Sequence, residues 1–149
     1  MKISNLEVYE HLGHSSFNRD LFRPIRNRKN WVKPDGGLWA SPTSADFGWS
    51  DWTKSNDFEL DRYTEDSFRF QLRPSAKVLY IDSAEQLDDL PMQSTDIDYR
   101  WVVLDFEKLA QEYDAMEVLI SKDQRLYWDL YGWDCDTLLV FNPDVIVEI

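Results

Sequence analysis

The chain has little cysteine and no long apolar run. Cys135 is the one cysteine among 149 residues, so the chain can form neither a disulfide framework nor a zinc site built on several cysteines. No run approaches the roughly 20 apolar residues that cross a bilayer, and the N-terminal sequence lacks an apolar signal core. We therefore expect a cytoplasmic protein that does not bind a membrane.

Positive charge is also scarce. Sixteen Lys and Arg residues stand against 28 Asp and Glu residues, which gives a formal net charge of −12. Phosphate contacts need clustered cations, so we expect no direct nucleic-acid binding. Several cations are nevertheless concentrated in one segment: Arg19, Arg23, Arg26, Arg28, Lys29 and Lys33. An anionic ligand would lie near this segment, although a solvated basic loop is an equally good interpretation.

The motifs of several enzyme classes are missing. The five glycines form neither a P-loop nor a dinucleotide-binding fingerprint, and there is no Gly-x-Ser-x-Gly sequence. The two histidines, His11 and His14, are not part of an HExxH pattern, so we expect no metal site. Cys135 has no histidine near it in the sequence, which leaves nucleophilic hydrolysis without support.

Tryptophan is abundant, and the stretch from Gly36 to Trp52 contains three of the seven residues. The run LWAS at 38–41 predicts a strand that stops at Pro42, because proline cannot donate to a sheet ladder. An aromatic helix should follow, with its cap from Ser44 or Asp46 and its ring side chains from Phe47, Trp49 and Trp52. Such a strand and helix would form a wall for a flat polar ligand, or alternatively a Trp-rich corner of the core.

Alternation and periodicity predict the remaining elements. The clearest strand lies at 67–72, where apolar and polar residues alternate, and other strands are expected at 6–11, 77–82, 114–120, 137–141 and 145–149. Helices are expected after Asp82 or Ser83, at 101–113 and at 122–132, with a polar loop at 56–66. This order predicts a single α+β domain over residues 1–149 with a largely antiparallel sheet and short flanking helices.

Polar groups at strand ends are the candidates for chemistry. His11 and Ser41 can form hydrogen bonds with a sugar or an amide. A carboxylate of Asp134 or Asp136 beside an anomeric carbon could stabilise an oxocarbenium-like transition state. The alternative is that both acids, in a Trp-Asp-Cys-Asp turn, are ordinary residues that precede a strand, which is the more common role of acids in such a turn.

The order of these features resembles the ADP-ribosyltransferase-like fold that diphtheria-type toxins and poly-ADP-ribose polymerases share. The runs 9–13 (YEHLG) and 37–41 (GLWAS) are similar to the first two strands of that family. The strand pair 68–72 and 77–81, the run 113–115 (YDA) and the run 136–143 (DTLLVFNP) extend the resemblance over most of the chain. Two departures stand out: Trp39 replaces the usual Tyr, and Asp136 or Thr137 replaces the catalytic Glu.

The resemblance implies a split, mostly antiparallel sheet and NAD as substrate. His11 would bind the ADP-ribose hydroxyls, Gly13 would let the nicotinamide amide approach the backbone, and Trp39 would stack on nicotinamide. The cations of 19–33 would face the diphosphate. The implied NAD-binding residues are His11, Gly13, Gly37, Leu38, Trp39 and Ser41, and the implied catalytic residues are Asp136, Thr137 and His11.

The leading functional hypothesis is NAD-dependent mono-ADP-ribosyl transfer to a macromolecular acceptor. The acidic charge favours a protein, or a nucleic acid presented by one, as that acceptor. The alternative is a non-catalytic acidic binding or inhibitor protein, a nucleic-acid mimic on the same fold. A third hypothesis is a structural module whose Trp-rich segment belongs to the core.

Overall fold

The computed structural model of the protein describes residues 7–29, 31–55, 66–94, 102–130 and 132–149. Its strands are β1 (Tyr9–Leu12), β2 (Leu38–Pro42), β3 (Ser67–Leu72), β4 (Val78–Ile81), β5 (Ala115–Val118), β6 (Thr137–Val140) and β7 (Ile146–Glu148). They form one sheet in the order β4-β5-β6-β2-β1-β3-β7, and all neighbours are antiparallel except β4 and β5. The predicted α+β class with a mostly antiparallel sheet is confirmed.

Short helices connect and cover the strands. They are α1 (Trp49–Ser55), α2 (Phe106–Glu112) and α3 (Gln124–Asp129), with 3-10 turns at Arg19–Leu21, Ala84–Leu87, Ile120–Lys122 and Pro143–Val145. None of the helices in the described ranges has the length and apolar character needed to cross a bilayer.

β2 joins the two parts of the sheet. Its residues 38–40 pair with β6, whereas its contact with β1 is limited to the pairs Tyr9↔Pro42 and Glu10↔Ser41. The resemblance implied a split sheet. The structure instead has one sheet, in which β1 and β2 share fewer residue pairs than any other neighbouring strands. Beyond Glu10 the backbones of β1 and β2 are unpaired, so a gap opens beside His11 and Trp39.

Alternate residues of β6 enter two separate apolar clusters. Leu139 belongs to a cluster that includes residues of α2 and α3, such as Phe106 and Leu126. Leu138 and Val140 belong to the other cluster, which is built on β1, β3 and β7. Successive side chains of a strand point to opposite faces, so the two clusters cover the two faces of the sheet.

Two helices begin later than the sequence predicts. α1 begins at Trp49, and neither Ser44 nor Asp46 caps it; the Trp49 N–H instead donates to Ser41 Oγ at 2.8 Å. Phe47 therefore precedes the helix. α2 begins at Phe106 rather than residue 101, because Asp105 is its N-cap and accepts from the Lys108 N–H at 3.2 Å.

Other boundaries differ by a few residues. Ser83, one of the two predicted positions, is the N-cap of the 3-10 turn at Ala84–Leu87, and Gln86 completes a capping box with it. α3 is shorter than the predicted helix at 122–132. Leu6 of the predicted first strand, residue 101 of the predicted helix and residues 56–65 of the predicted loop lie outside the described residues.

The glycine pair before β2 fixes the position of the basic segment. Gly36 and Gly37 have φ values of 82° and 73°, in the left-handed region that favours glycine. A Cβ on Gly36 would lie 2.2 Å from the carbonyl oxygen of Pro24. The Gly37 N–H donates to the Arg23 carbonyl at 2.8 Å. This bond holds the basic segment, at Arg23, against the start of β2.

Candidate functional site

A cavity of about 570 Å³ opens at the gap between β1 and β2. Its volume lies within the range of sites that bind small molecules and cofactors. We call it the cationic cavity, and its lining comprises His11, Leu12, Gly13, His14, Arg23, Arg28, Lys33, Pro34, Trp39, Trp49, Trp52 and Thr53. The end of β1, the basic segment, β2 and α1 thus all contribute side chains to one space.

The lining of the cationic cavity has the opposite charge to the chain as a whole. Arg23, Arg28 and Lys33 lie along it, and none of its described lining residues is Asp or Glu, although the chain carries a net charge of −12. Arg23 is mostly exposed and forms a 3.1 Å ion pair with Asp35. The guanidinium of Arg28 lies 4.8 Å from the ring centre of Trp31. A cleft with such a lining raises the local concentration of anions.

His11 is held in one orientation by the backbone of β2. Its Nδ1 lies 2.6 Å from the Trp39 carbonyl oxygen, and since a carbonyl can only accept, Nδ1 carries the proton. In the neutral ring, Nε2 is then an acceptor, and His14 Nδ1 lies 2.9 Å from it. Burial lowers the pKa of His11; the bond to the Trp39 carbonyl opposes this change, and the nearby His14 adds to it.

The turn at Gly13 brings the second imidazole beside the first. Gly13 has a φ of 109°, and its N–H donates to the Asp66 carbonyl at 2.7 Å. The chain bends at Gly13, directly after β1, and the rings of His11 and His14 stack with their centres 5.2 Å apart. The sequence interpretation did not pair these histidines; a glycine that ends a strand between two histidines was the available signal.

Tryptophan side chains form the apolar part of the lining. Trp39 contacts Trp133 with ring centres 5.0 Å apart, and Trp49 meets Trp52 edge to face at 5.7 Å. Among the described residues, the indole N–H of Trp49 is a buried side-chain donor without an acceptor. These residues place the predicted aromatic wall at the cavity, whereas Phe47 is not among the lining residues.

Lys33 reaches the faces of two of these rings. Its Nζ lies 5.5 Å from the ring centre of Trp39 and 4.9 Å from that of Trp49. Both distances are within the range of cation–π attraction. Burial lowers the pKa of Lys33, and the charge of Asp134 opposes this change. Asp134 itself does not line the cavity.

Of the three predicted catalytic residues, His11 lines the cationic cavity, whereas Asp136 and Thr137 do not. Asp136 is buried, and its carboxylate accepts from the N–H of Ser121 at 2.8 Å and from its hydroxyl at 2.6 Å. Thr137 is also buried, and its hydroxyl donates to the Cys135 carbonyl at 2.9 Å. Both side chains therefore form hydrogen bonds within the protein at the start of β6.

The remaining predicted NAD-binding residues lie beside the cavity rather than in its lining. Ser41 Oγ accepts from Trp49 N–H and donates to the Asp136 carbonyl at 2.7 Å, so it links β2, α1 and β6. Gly37 and Leu38 line a smaller cavity of about 110 Å³, which shares His11 and His14 with the cationic cavity.

The described residues support neither a metal site nor a cysteine nucleophile. Within the described ranges, no group of three or more His, Cys, Asp or Glu residues is arranged to hold a metal ion. Cys135 is buried, and burial raises the pKa of its thiol to about 12, so the thiol is protonated at neutral pH. A protonated, buried thiol is a poor nucleophile.

Comparisons with family models, curated proteins and solved structures find no match to this chain.

Proposed function

We propose that this protein binds NAD in the cationic cavity. The observation that carries the proposal is the meeting of three cations with three tryptophans in an otherwise acidic chain. The diphosphate of NAD is a suitable partner for Arg and Lys side chains, and its rings are suitable partners for indole faces. The cavity therefore offers both kinds of contact that a dinucleotide needs.

The proposed roles follow the resemblance for the residues that line the cavity. Trp39 stacks on nicotinamide, and Gly13 allows the amide group to approach the backbone. His11, whose Nδ1 is bound to the Trp39 carbonyl, binds ribose hydroxyls through Nε2, and a hydroxyl there takes the place of His14 Nδ1, which lies 2.9 Å from Nε2 without the ligand. The buried indole N–H of Trp49 is a further donor for a ligand oxygen, since buried donors in proteins are usually paired.

Mono-ADP-ribosyl transfer is the reaction that the resemblance implies for bound NAD. In that reaction the bond from nicotinamide nitrogen to ribose C1 breaks, and a nucleophile of a macromolecular acceptor bonds to C1. Asp136 would assist only by facing the ribose, yet its carboxylate binds Ser121. The geometry thus supports NAD binding more strongly than catalysis by Asp136. The alternative of an acidic inhibitor rests on the net charge of −12.

Titration with NAD tests the proposed site through tryptophan fluorescence. NAD should quench the emission, and Trp39→Ala should remove most of the change and weaken binding about fivefold or more, the effect of losing one aromatic stack. Trp128→Ala is the control, because Trp128 is 63% exposed in α3 and does not line the cavity. Absence of binding heat at millimolar NAD would exclude the proposal.

A further inference from the structure

Lys33 occupies the ring faces that a flat ligand needs. Its ammonium lies 5.5 Å from the ring centre of Trp39 and 4.9 Å from that of Trp49. Within the described part of the chain, no carboxylate forms an ion pair with Lys33; Asp134 acts on it only through the field of its charge. A ring that stacks on Trp39 must therefore displace the ammonium from the indole.

The other cations of the cavity have partners away from these two rings. Arg23 is paired with Asp35, and Arg28 lies over Trp31. Among the described residues, the cation that lies over the rings of Trp39 and Trp49 is Lys33, and neither guanidinium does so. Lys33 is the cation whose position is incompatible with a stacked ligand.

We propose that Lys33 makes the cationic cavity selective for nucleotides, in which a ribose links a phosphate to a flat ring, over the corresponding nucleosides. The inference rests on the proposed NAD site and names the ligand feature that this site requires. A nucleotide brings a phosphate that can pair with the displaced ammonium, so the charge moves from one partner to another. A nucleoside displaces the ammonium and provides no anion, which leaves a half-buried charge without compensation.

The selectivity can be measured with nicotinamide mononucleotide and nicotinamide riboside, which differ only in the phosphate. The wild-type protein should bind the mononucleotide at least about tenfold more tightly, the effect of one hydrogen bond to a charged group. Lys33→Met should reduce this ratio about tenfold, by weakening the mononucleotide and by leaving the riboside unchanged or tighter. Lys122→Met is the charge-matched control, because Lys122 pairs with Asp46 outside the cavity.

A second measurement needs no variant. If phosphate draws Lys33 away from the rings, then pyrophosphate at constant ionic strength should tighten the binding of the riboside. By linkage, the riboside should tighten the binding of pyrophosphate by the same factor. The inference is wrong if riboside and mononucleotide bind equally to the wild type, if pyrophosphate has no effect on riboside binding, or if Lys33→Met weakens both ligands equally. Those results leave NAD binding intact, whereas failure of NAD itself to bind excludes the proposed function as well.

Discussion

His11 is held in its neutral form by its surroundings, and this has a consequence for stability. Burial lowers its folded-state pKa below the ordinary value of about 6.5, so the unfolded chain takes up a proton first as the pH falls. The free energy of unfolding should therefore decrease as the pH drops through about 6.5 and level off below the folded-state pKa. Thermal melting between pH 7.5 and 5.5 measures this. An identical pH dependence in His11→Gln would contradict it.

The carboxylate of Asp136 accepts two hydrogen bonds from Ser121, and Asp136 does not line the cationic cavity. Asp136→Asn replaces an acceptor oxygen by a donor opposite the Ser121 N–H or hydroxyl, so the free energy of unfolding should fall by about 1.5–3 kcal/mol. Affinity for NAD should stay the same. Asp46→Asn is the control, since its exposed pair with Lys122 should contribute about 0–1 kcal/mol.

The opposite pattern would restore a catalytic role to Asp136. An unchanged melting temperature together with a loss of turnover of about a hundredfold or more would mean that the carboxylate acts on the transition state. Denaturant unfolding and an ADP-ribosyl transfer assay on the same variant distinguish the two results.

At the level of elements, Ser41 joins β2 to α1. Ser41→Ala removes the acceptor of Trp49 N–H and the donor to the Asp136 carbonyl, so we expect a loss of about 1–2 kcal/mol in the free energy of unfolding. Affinity for NAD should fall too, because α1 carries Trp49 and Trp52 into the cavity. Chemical denaturation and calorimetry measure the two effects.

Ser44→Ala is the matched control for Ser41→Ala. Ser44 is the residue that local sequence suggested, yet its exposed hydroxyl bonds to Glu7 and not to the helix. Its replacement should change the free energy of unfolding by no more than about 0.5 kcal/mol. Equal losses in Ser41→Ala and Ser44→Ala would contradict the stabilising role of the bond between Ser41 Oγ and the Trp49 N–H.

Strands were predictable from local pattern where helix starts were not. Alternation at 67–72 predicts β3 because each side chain faces either the core or solvent, and this depends only on neighbours in sequence. The start of α1 depends on Ser41, which is in a strand eight residues before Trp49. The start of α2 is likewise delayed because 102–104 is bound by 91–93: the Gln93 N–H donates to the Val103 carbonyl, and Met92 and Leu104 form a β-bridge.

At the scale of the whole molecule, the candidate site also combines residues that local sequence predicts with contacts that it does not predict. The resemblance named His11, Gly13 and Trp39 from runs at strand ends, and the distribution of charge indicated the basic segment; the structure brings them together. Asp136 was named from its position before a strand and from the same resemblance. Whether its side chain faces a ligand or Ser121 is decided by a contact with the turn at 120–122, which local sequence does not reveal.

A crystal structure of the protein with NAD would test the proposed binding site most directly. We expect one NAD molecule in the cationic cavity, with nicotinamide against Trp39, the diphosphate at Arg23, Arg28 and Lys33, and the amide near the Gly13 backbone. Crystals that hold NAD elsewhere on the surface, or that leave the cavity without NAD at a concentration that saturates binding in solution, would contradict the proposed function.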